Sequence, residues 1–153
     1  MQSAIKVIVS SDKPYAVANF IVNELASRGY KVLVDGALKD GKPVPWPDAA
    51  YSATKRLMQG EADTAVLICF TGTGITIAAN KVKGVRAALC LDPETARLAR
   101  LLNNANVLTL SARLITEYLA KEILDAWFSV KEPDYSRADR FKRLEEIEET
   151  EFK

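Results

Sequence analysis

A chain of 153 residues, 48% hydrophobic and 27% charged, fits a single globular domain, and at that length roughly 70% of the unfolded surface can be buried without a disulfide scaffold. The formal net charge of +1 supplies no field for capturing nucleic acid or an anionic membrane, so the expected partner is a small molecule. The absence of histidine excludes Ser-His and Cys-His pairs, histidine zinc sites and imidazole bases. Cys, Asp, Glu, Lys or Tyr remain for any proton transfer.

The opening MQSAIKVIVSS lacks the basic start and long apolar segment of a signal peptide, and no apolar run approaches the roughly 20 residues that span a bilayer. A cytoplasmic protein is expected. Ile5 to Ser10 reads as a strand, followed by Ser10-Ser11-Asp12-Lys13. Pro14 to Arg28 has helical periodicity through Val17, Phe20, Ile21 and Leu25, and stops at Gly29, a C-terminal glycine cap. Lys31 to Asp35 is a strand and Ala49 to Gln59 a helix; Thr64 to Cys69 is a strand that runs into a glycine-threonine loop and a helix starting near Ile75. Val85 to Cys90 is a fourth strand, Pro93 to Asn103 a helix with proline in its first turn after Asp92, Asn106 to Leu110 a fifth strand and Leu114 to Trp127 a further helix.

Strands alternating with helices imply βαβ units and a parallel sheet. The expected fold is a doubly wound, Rossmann-like α/β three-layer sandwich with a five-stranded parallel sheet and a C-terminal helical tail, in one domain over residues 1–153. The tail from residue 129 holds Glu132-Pro133-Asp134 and a charged helix from about Arg137 to Glu149 with a thin apolar stripe of Phe141, Leu144 and Ile147. Such a stripe predicts packing on a second subunit more than burial in its own core. Cys69 and Cys90 each end an apolar run, which suits free thiols in a reducing compartment.

Ligands in such sheets bind beyond the C-terminal strand ends, where strand order reverses. Three segments fall there: Ser10 to Lys13, Cys69 to Gly74, and Asp92. The run ICFTGTGITIAANK is the most informative. Glycines alternating with threonines between a strand and a helix let backbone N–H groups converge into an anion cradle, with a thiol just before it. A buried strand-end cysteine above an ordinary tight turn is the plainer alternative. The glycines do not fit a dinucleotide fingerprint and a Walker lysine is missing, so a nucleotide-binding or flavodoxin-like module is disfavoured. No His or Cys cluster or close carboxylate set predicts a metal, and no cofactor is expected.

The longer stretch ADTAVLICFTGTGITIAANKVKGVRAALC resembles the central signature of the type B ribose-5-phosphate isomerase and galactose-6-phosphate isomerase family, close to ICGTGxGxxIAANKxxGIRAA. The resemblance extends to Asp12, to Trp46-Pro47-Asp48, to Asn103-Asn104-Ala105-Asn106-Val107 and to Arg113. It implies an aldose–ketose isomerase of sugar phosphates in which a cysteine moves a proton between C1 and C2 through a cis-enediolate. On that resemblance Cys69 is similar to the base, and Thr71, Gly72 and Gly74 to the anion-hole loop that also includes Thr73. Asp12 is similar to the acid contacting substrate hydroxyls, Asn103 to a polar contact, and Arg113, Arg137 and Arg140 to phosphate ligands, some from a partner subunit. A homodimer or homotetramer follows from the same likeness.

Departures from the pattern bear on the substrate. Lys13 and Leu102 stand where the family has histidines, Phe70 replaces the glycine after the cysteine, and the tail arginines are spaced by three residues where four is common, which makes Arg143 a substitute. The histidine at the position of Leu102 usually helps open a furanose ring. Phe70 and Lys13 therefore predict an altered substrate: ribose 5-phosphate is the family default, and a smaller or open-chain sugar phosphate suits these residues. A binding protein or subunit that keeps the fold and has lost turnover is the reading from a different class.

Overall fold

The computed structural model describes residues 4–152. Five parallel strands, β1 (Lys6–Ser11), β2 (Lys31–Gly36), β3 (Thr64–Cys69), β4 (Ala87–Leu89) and β5 (Val107–Ser111), form one sheet in the order β2-β1-β3-β5-β4. The helices are α1 (Ala16–Ser27), α2 (Trp46–Met58), α3 (Thr73–Ala79), α4 (Pro93–Asn103), α5 (Glu117–Ser129) and α6 (Ala138–Glu151), the last entered through a short 3-10 turn at Tyr135–Arg137.

The period-2 alternation of the strands sorts their side chains between two cores. Val7, Val9, Val66 and Ile68 join Ile21 and Leu25 of α1, Ala96 and Ala99 of α4 and Ile123, Leu124 and Trp127 of α5 on one face. Ile8, Ala65, Leu67 and Cys69 join Ala49, Ala50, Ala53 and Leu57 of α2 and Ile75 and Ala79 of α3 on the other. These are the three layers of the expected sandwich. β1 has β2 on one side and β3 on the other, so the chain leaves the sheet in opposite directions from β1 and β3, and the crevice between their C-terminal ends is the switch point.

Element ends differ from the sequence expectation for local reasons. Proline needs no N–H donor in a first turn, so α2 begins at Trp46-Pro47. Thr116 caps α5 by accepting from the Leu119 N–H at 3.1 Å, which delays its start. β4 is short because the Arg86 peptide is taken up by Asn106: its N–H donates to Asn106 Oδ1 at 2.7 Å and its carbonyl accepts from Asn106 N–H at 3.0 Å. On the open edge of β4 the Asn80 amide acts as a surrogate strand, donating to the Ala87 carbonyl at 3.0 Å and accepting its N–H at 2.8 Å.

Helix α6 buries none of its residues. It is tied to its own chain where Gly84 N–H donates to Glu148 Oε2 at 2.9 Å and Lys83 Nζ meets Glu149 Oε1 at 2.9 Å. Leu144 and Ile147 remain 49% and 45% exposed over a groove against the β4 edge. No helix among the described residues is long and apolar enough to cross a membrane.

Candidate active site

β3 is buried along its whole length and delivers Cys69 to the switch point, 3% exposed. The chain then turns sharply: Phe70 points outward at 58% exposure, and Gly72 adopts φ +81°. A Cβ at Gly72 would sit 2.6 Å from Leu89 Cδ1 and 3.1 Å from the Leu110 carbonyl carbon, so both the dihedral and the space demand glycine. This turn directs the Gly72 N–H onto Cys69 Sγ at 3.1 Å. The sulfur is thereby fixed at the mouth of the loop.

Around it the loop is braced from within. Thr71 and Thr73 join their hydroxyls at 2.8 Å, and Thr73 N–H reaches Thr71 Oγ1 at 3.3 Å. Thr76 donates to the Gly72 carbonyl at 2.6 Å. The residue before α3, Gly72, makes no side-chain cap, and the first N–H of the helix, that of Thr73, is taken by Thr71 Oγ1. Phe70 carbonyl accepts from the Ser111 hydroxyl and from Arg113 N–H, both at 3.0 Å, so Arg113 and the cysteine loop are pinned together at one end of the sheet.

Asp12 enters from β1. Its N–H donates to the Ile68 carbonyl at 3.4 Å and its carbonyl accepts from Val44 N–H at 2.9 Å, placing a carboxylate 9% exposed beside the strand that carries Cys69. The carbonyl of Lys13 is held by Ser11 Oγ at 2.5 Å, while the residue itself is exposed. Cys69, Phe70, Thr71, Gly72, Thr73, Gly74, Asp12, Lys13 and Arg113 therefore share one end of the sheet.

Asn103, Arg137 and Arg140 do not. α4 runs back from the C-terminal end of β4, so Asn103 closes it at the end of the sheet where β5 begins. The turn that carries Arg137 is attached to the same place, with Asp134 N–H donating to the Leu101 carbonyl at 2.8 Å and Arg137 Nε 3.7 Å from Asp134 Oδ2. Leu102 belongs to this second group. Within one chain, the phosphate-ligand candidates of the tail and the thiol lie at opposite ends of the strands. Asp92, the third strand-end segment, is an N-cap for α4: it accepts from Thr95 N–H at 2.9 Å, and the Thr95 hydroxyl and N–H hold its carboxyl below the ordinary range.

Two residues outside the expected set line the crevice. The Trp46 ring covers the first turn of α3, its atoms 3.0 to 3.2 Å from where a Gly74 Cβ would stand, which gives Gly74 a reason to be glycine. Tyr15 ends the turn after Asp12, and burial, the neighbouring Asp12 carboxylate through its charge and a loose hydrogen-bonding approach, and to a lesser degree Cys69 push that phenol up. Its only sequence signal is the Pro-Tyr step three residues after the aspartate.

Cys90 contrasts with Cys69. It is fully buried, its Sγ lies 3.6 Å from the Ala88 carbonyl, and burial with the neighbouring Asp92 raises its pKa from 9.0 to about 12. The folded protein thus keeps this proton where the unfolded chain releases it. Between about pH 9 and 12 the unfolded state binds fewer protons, so stability falls as pH rises through that window. Denaturation midpoints measured across it should decline less steeply in Cys90→Ala than in the unmodified chain; equal slopes would remove Cys90 as the cause.

A buried thiol, a carboxylate and a glycine-braced loop meet at the switch point of a doubly wound α/β protein, the place where ligands of such folds bind. The sequence matches the ribose/galactose isomerase family over residues 7–147, and the chain belongs to that family of sugar-phosphate aldose–ketose isomerases. It is 36% identical over 129 residues to ribose-5-phosphate isomerase B of Escherichia coli, covering 84% of this chain and 86% of the relative. It is 40% identical over 113 residues to D-erythrulose-4-phosphate isomerase of Pectobacterium atrosepticum, covering 74% of each. The fold superposes on ribose-5-phosphate isomerase B of Clostridium thermocellum with a TM-score of 0.89 at 36% identity, over 95% of this chain and 99% of the other.

Proposed function

We propose that this isomerase interconverts a four-carbon aldose and ketose phosphate, with Cys69 as the base that carries the proton between C1 and C2. The observation that carries the reading is the Gly72 N–H bond to Cys69 Sγ at 3.1 Å beside Asp12, in a chain with no histidine. Gly72 sets the sulfur over the crevice. Backbone N–H groups of the Cys69–Gly74 loop, next to the sulfur, are the donors this reading assigns to the oxygen on which enediolate charge develops, where preorganised donors act most strongly.

The tetrose preference rests on Leu102 and Phe70. A tetrose 4-phosphate has no free C4 hydroxyl and cannot close a five-membered ring, so its isomerase needs no ring-opening group. The likeness to an erythrulose-4-phosphate isomerase agrees with this choice. The deciding experiment offers the purified chain a panel of C4, C5 and C6 aldose and ketose phosphates. Turnover of a tetrose 4-phosphate pair is the expected result, and turnover of none would leave a binding protein.

The phosphate is held by a second copy of the chain. Asn103, Arg137 and Arg140 lie together at the end of the sheet away from Cys69, so they can serve a thiol site only across a subunit boundary. A Cys69→Ser chain mixed with an Arg137→Ala/Arg140→Ala chain should recover part of the activity that each lacks, because some mixed dimers hold one undamaged site. Full turnover by a species that light scattering shows to be monomeric would exclude the shared site.

A further inference from the structure

Two polar atoms at the site are shielded from solvent and have no hydrogen-bond partner among the described residues: Asp12 Oδ1 and Tyr15 Oη. Both belong to one short turn. Asp12 leaves β1 with its N–H on the Ile68 carbonyl at 3.4 Å, one residue before Cys69 in β3, and Tyr15 N–H folds back onto the Lys13 carbonyl at 2.9 Å. The Tyr15 ring packs against the core that holds α1, which leaves its hydroxyl as the free end. Asp12 and Cys69 both lie close enough to act on that phenol, and burial first, then the neighbouring Asp12, keeps it protonated. The phenol and the Asp12 carboxylate are close enough to act on each other but meet in no well-formed hydrogen bond, and a polar group that bridges them satisfies what this loose pairing leaves over. A substrate oxygen that accepts from one while a neighbouring hydroxyl donates to the other meets both needs.

We propose that Tyr15 is a catalytic residue of the isomerisation, its phenol exchanging a proton with the C1 and C2 oxygens of the substrate while Asp12 Oδ1 orients the donor hydroxyl. The assignment rests on the isomerase reading above. In the aldose-to-ketose direction the Cys69 thiolate takes the proton from C2, the C–H electron pair forms the C1–C2 double bond, and the carbonyl pair moves to O1, which takes the Tyr15 proton. The enediol then collapses: O2–H returns a proton to the phenolate as the C2 carbonyl forms, and Cys69 gives its proton to C1. Both protein groups end as they began. In a cis-enediol O1 and O2 lie on the same side, within reach of one phenol oxygen. The remaining donors at this end of the sheet suit the role less, because the Thr71 and Thr73 hydroxyls are engaged with each other and Lys13 is exposed.

Tyr15→Phe keeps the ring and removes the hydroxyl. On the substrate that the unmodified chain turns over best, kcat should fall about 100-fold, the scale of losing one positioned donor or proton carrier, with KM within about threefold and the thermal midpoint little changed. Tyr15→His should recover part of the rate and give it a new pH dependence in the imidazole range, which a packing role would not produce. A folded Tyr15→Phe protein with kcat within about threefold of the unmodified chain overturns the proposal, as does a loss confined to KM. Should Tyr15→Phe fail to fold, a folded Tyr15→His protein whose rate shows no new titration overturns it as well. An unmodified chain inactive on every sugar phosphate overturns the isomerase reading and this one with it, whereas an active chain indifferent to Tyr15 overturns this one alone.

Discussion

Replacing Cys69 with serine is expected to lower kcat by roughly 10²- to 10⁴-fold, the contribution of a positioned general base, while the fold survives. An alcohol has the size and hydrogen-bonding capacity to keep the Gly72 N–H engaged, and Cys69 is one small member of the core beneath α2 and α3. It is far too weak a base near neutral pH to abstract a carbon-bound proton. Cys90→Ser is the matched control, since Cys90 follows β4, precedes no glycine loop in the chain, and its thiol holds its proton to about pH 12. That variant should keep its rate within a few-fold. Steady-state kinetics of both proteins, each shown to be folded by circular dichroism, decide the matter: equal losses would sink the assignment of Cys69 as the base.

The strands were legible because each is a run of β-branched and apolar residues bounded by turn residues, and their parallel arrangement followed from the helices between them. Boundaries were less so. Whether Val85 and Arg86 continue β4 depends on the Asn106 side chain capturing the Arg86 N–H, a contact between residues twenty positions apart. The loop from Cys69 to Gly74 was legible because its function is local: the turn, the N–H on sulfur and the helix start are made by consecutive residues. Tyr15 was not, since it reaches the site only once β1 and β3 have packed, and Trp46, named only within a resembling segment, shows its contact with Gly74 only once α2 has packed on α3. The remoteness of Asn103 was in principle readable, because a residue just before a parallel strand lies at the end of the sheet opposite to a residue just after one.

That geometry sharpens the expectation about substrate. Ribose 5-phosphate in solution is mostly a furanose, and an enzyme without a ring-opening group must select the scarce open chain, which lowers apparent affinity by the competent fraction. A tetrose 4-phosphate carries no such handicap, so kcat/KM for the tetrose pair should exceed that for the ribose 5-phosphate pair by an order of magnitude or more. Leu102→His should narrow the gap by improving the pentose more than the tetrose. Because Leu102 lies in the last turn of α4, at the far end of the sheet from Cys69, the new imidazole can act only on a neighbour's substrate. Its benefit should therefore appear in mixed dimers where a Leu102→His/Cys69→Ser chain is paired with an unmodified one, and be absent from that double variant alone. Coupled assays on both substrate pairs measure all of this. If ribose 5-phosphate proves better by an order of magnitude in the unmodified chain, the ring is opened by a group already present. Asp12 and Lys13, beside the thiol in the same subunit, are then the residues to replace.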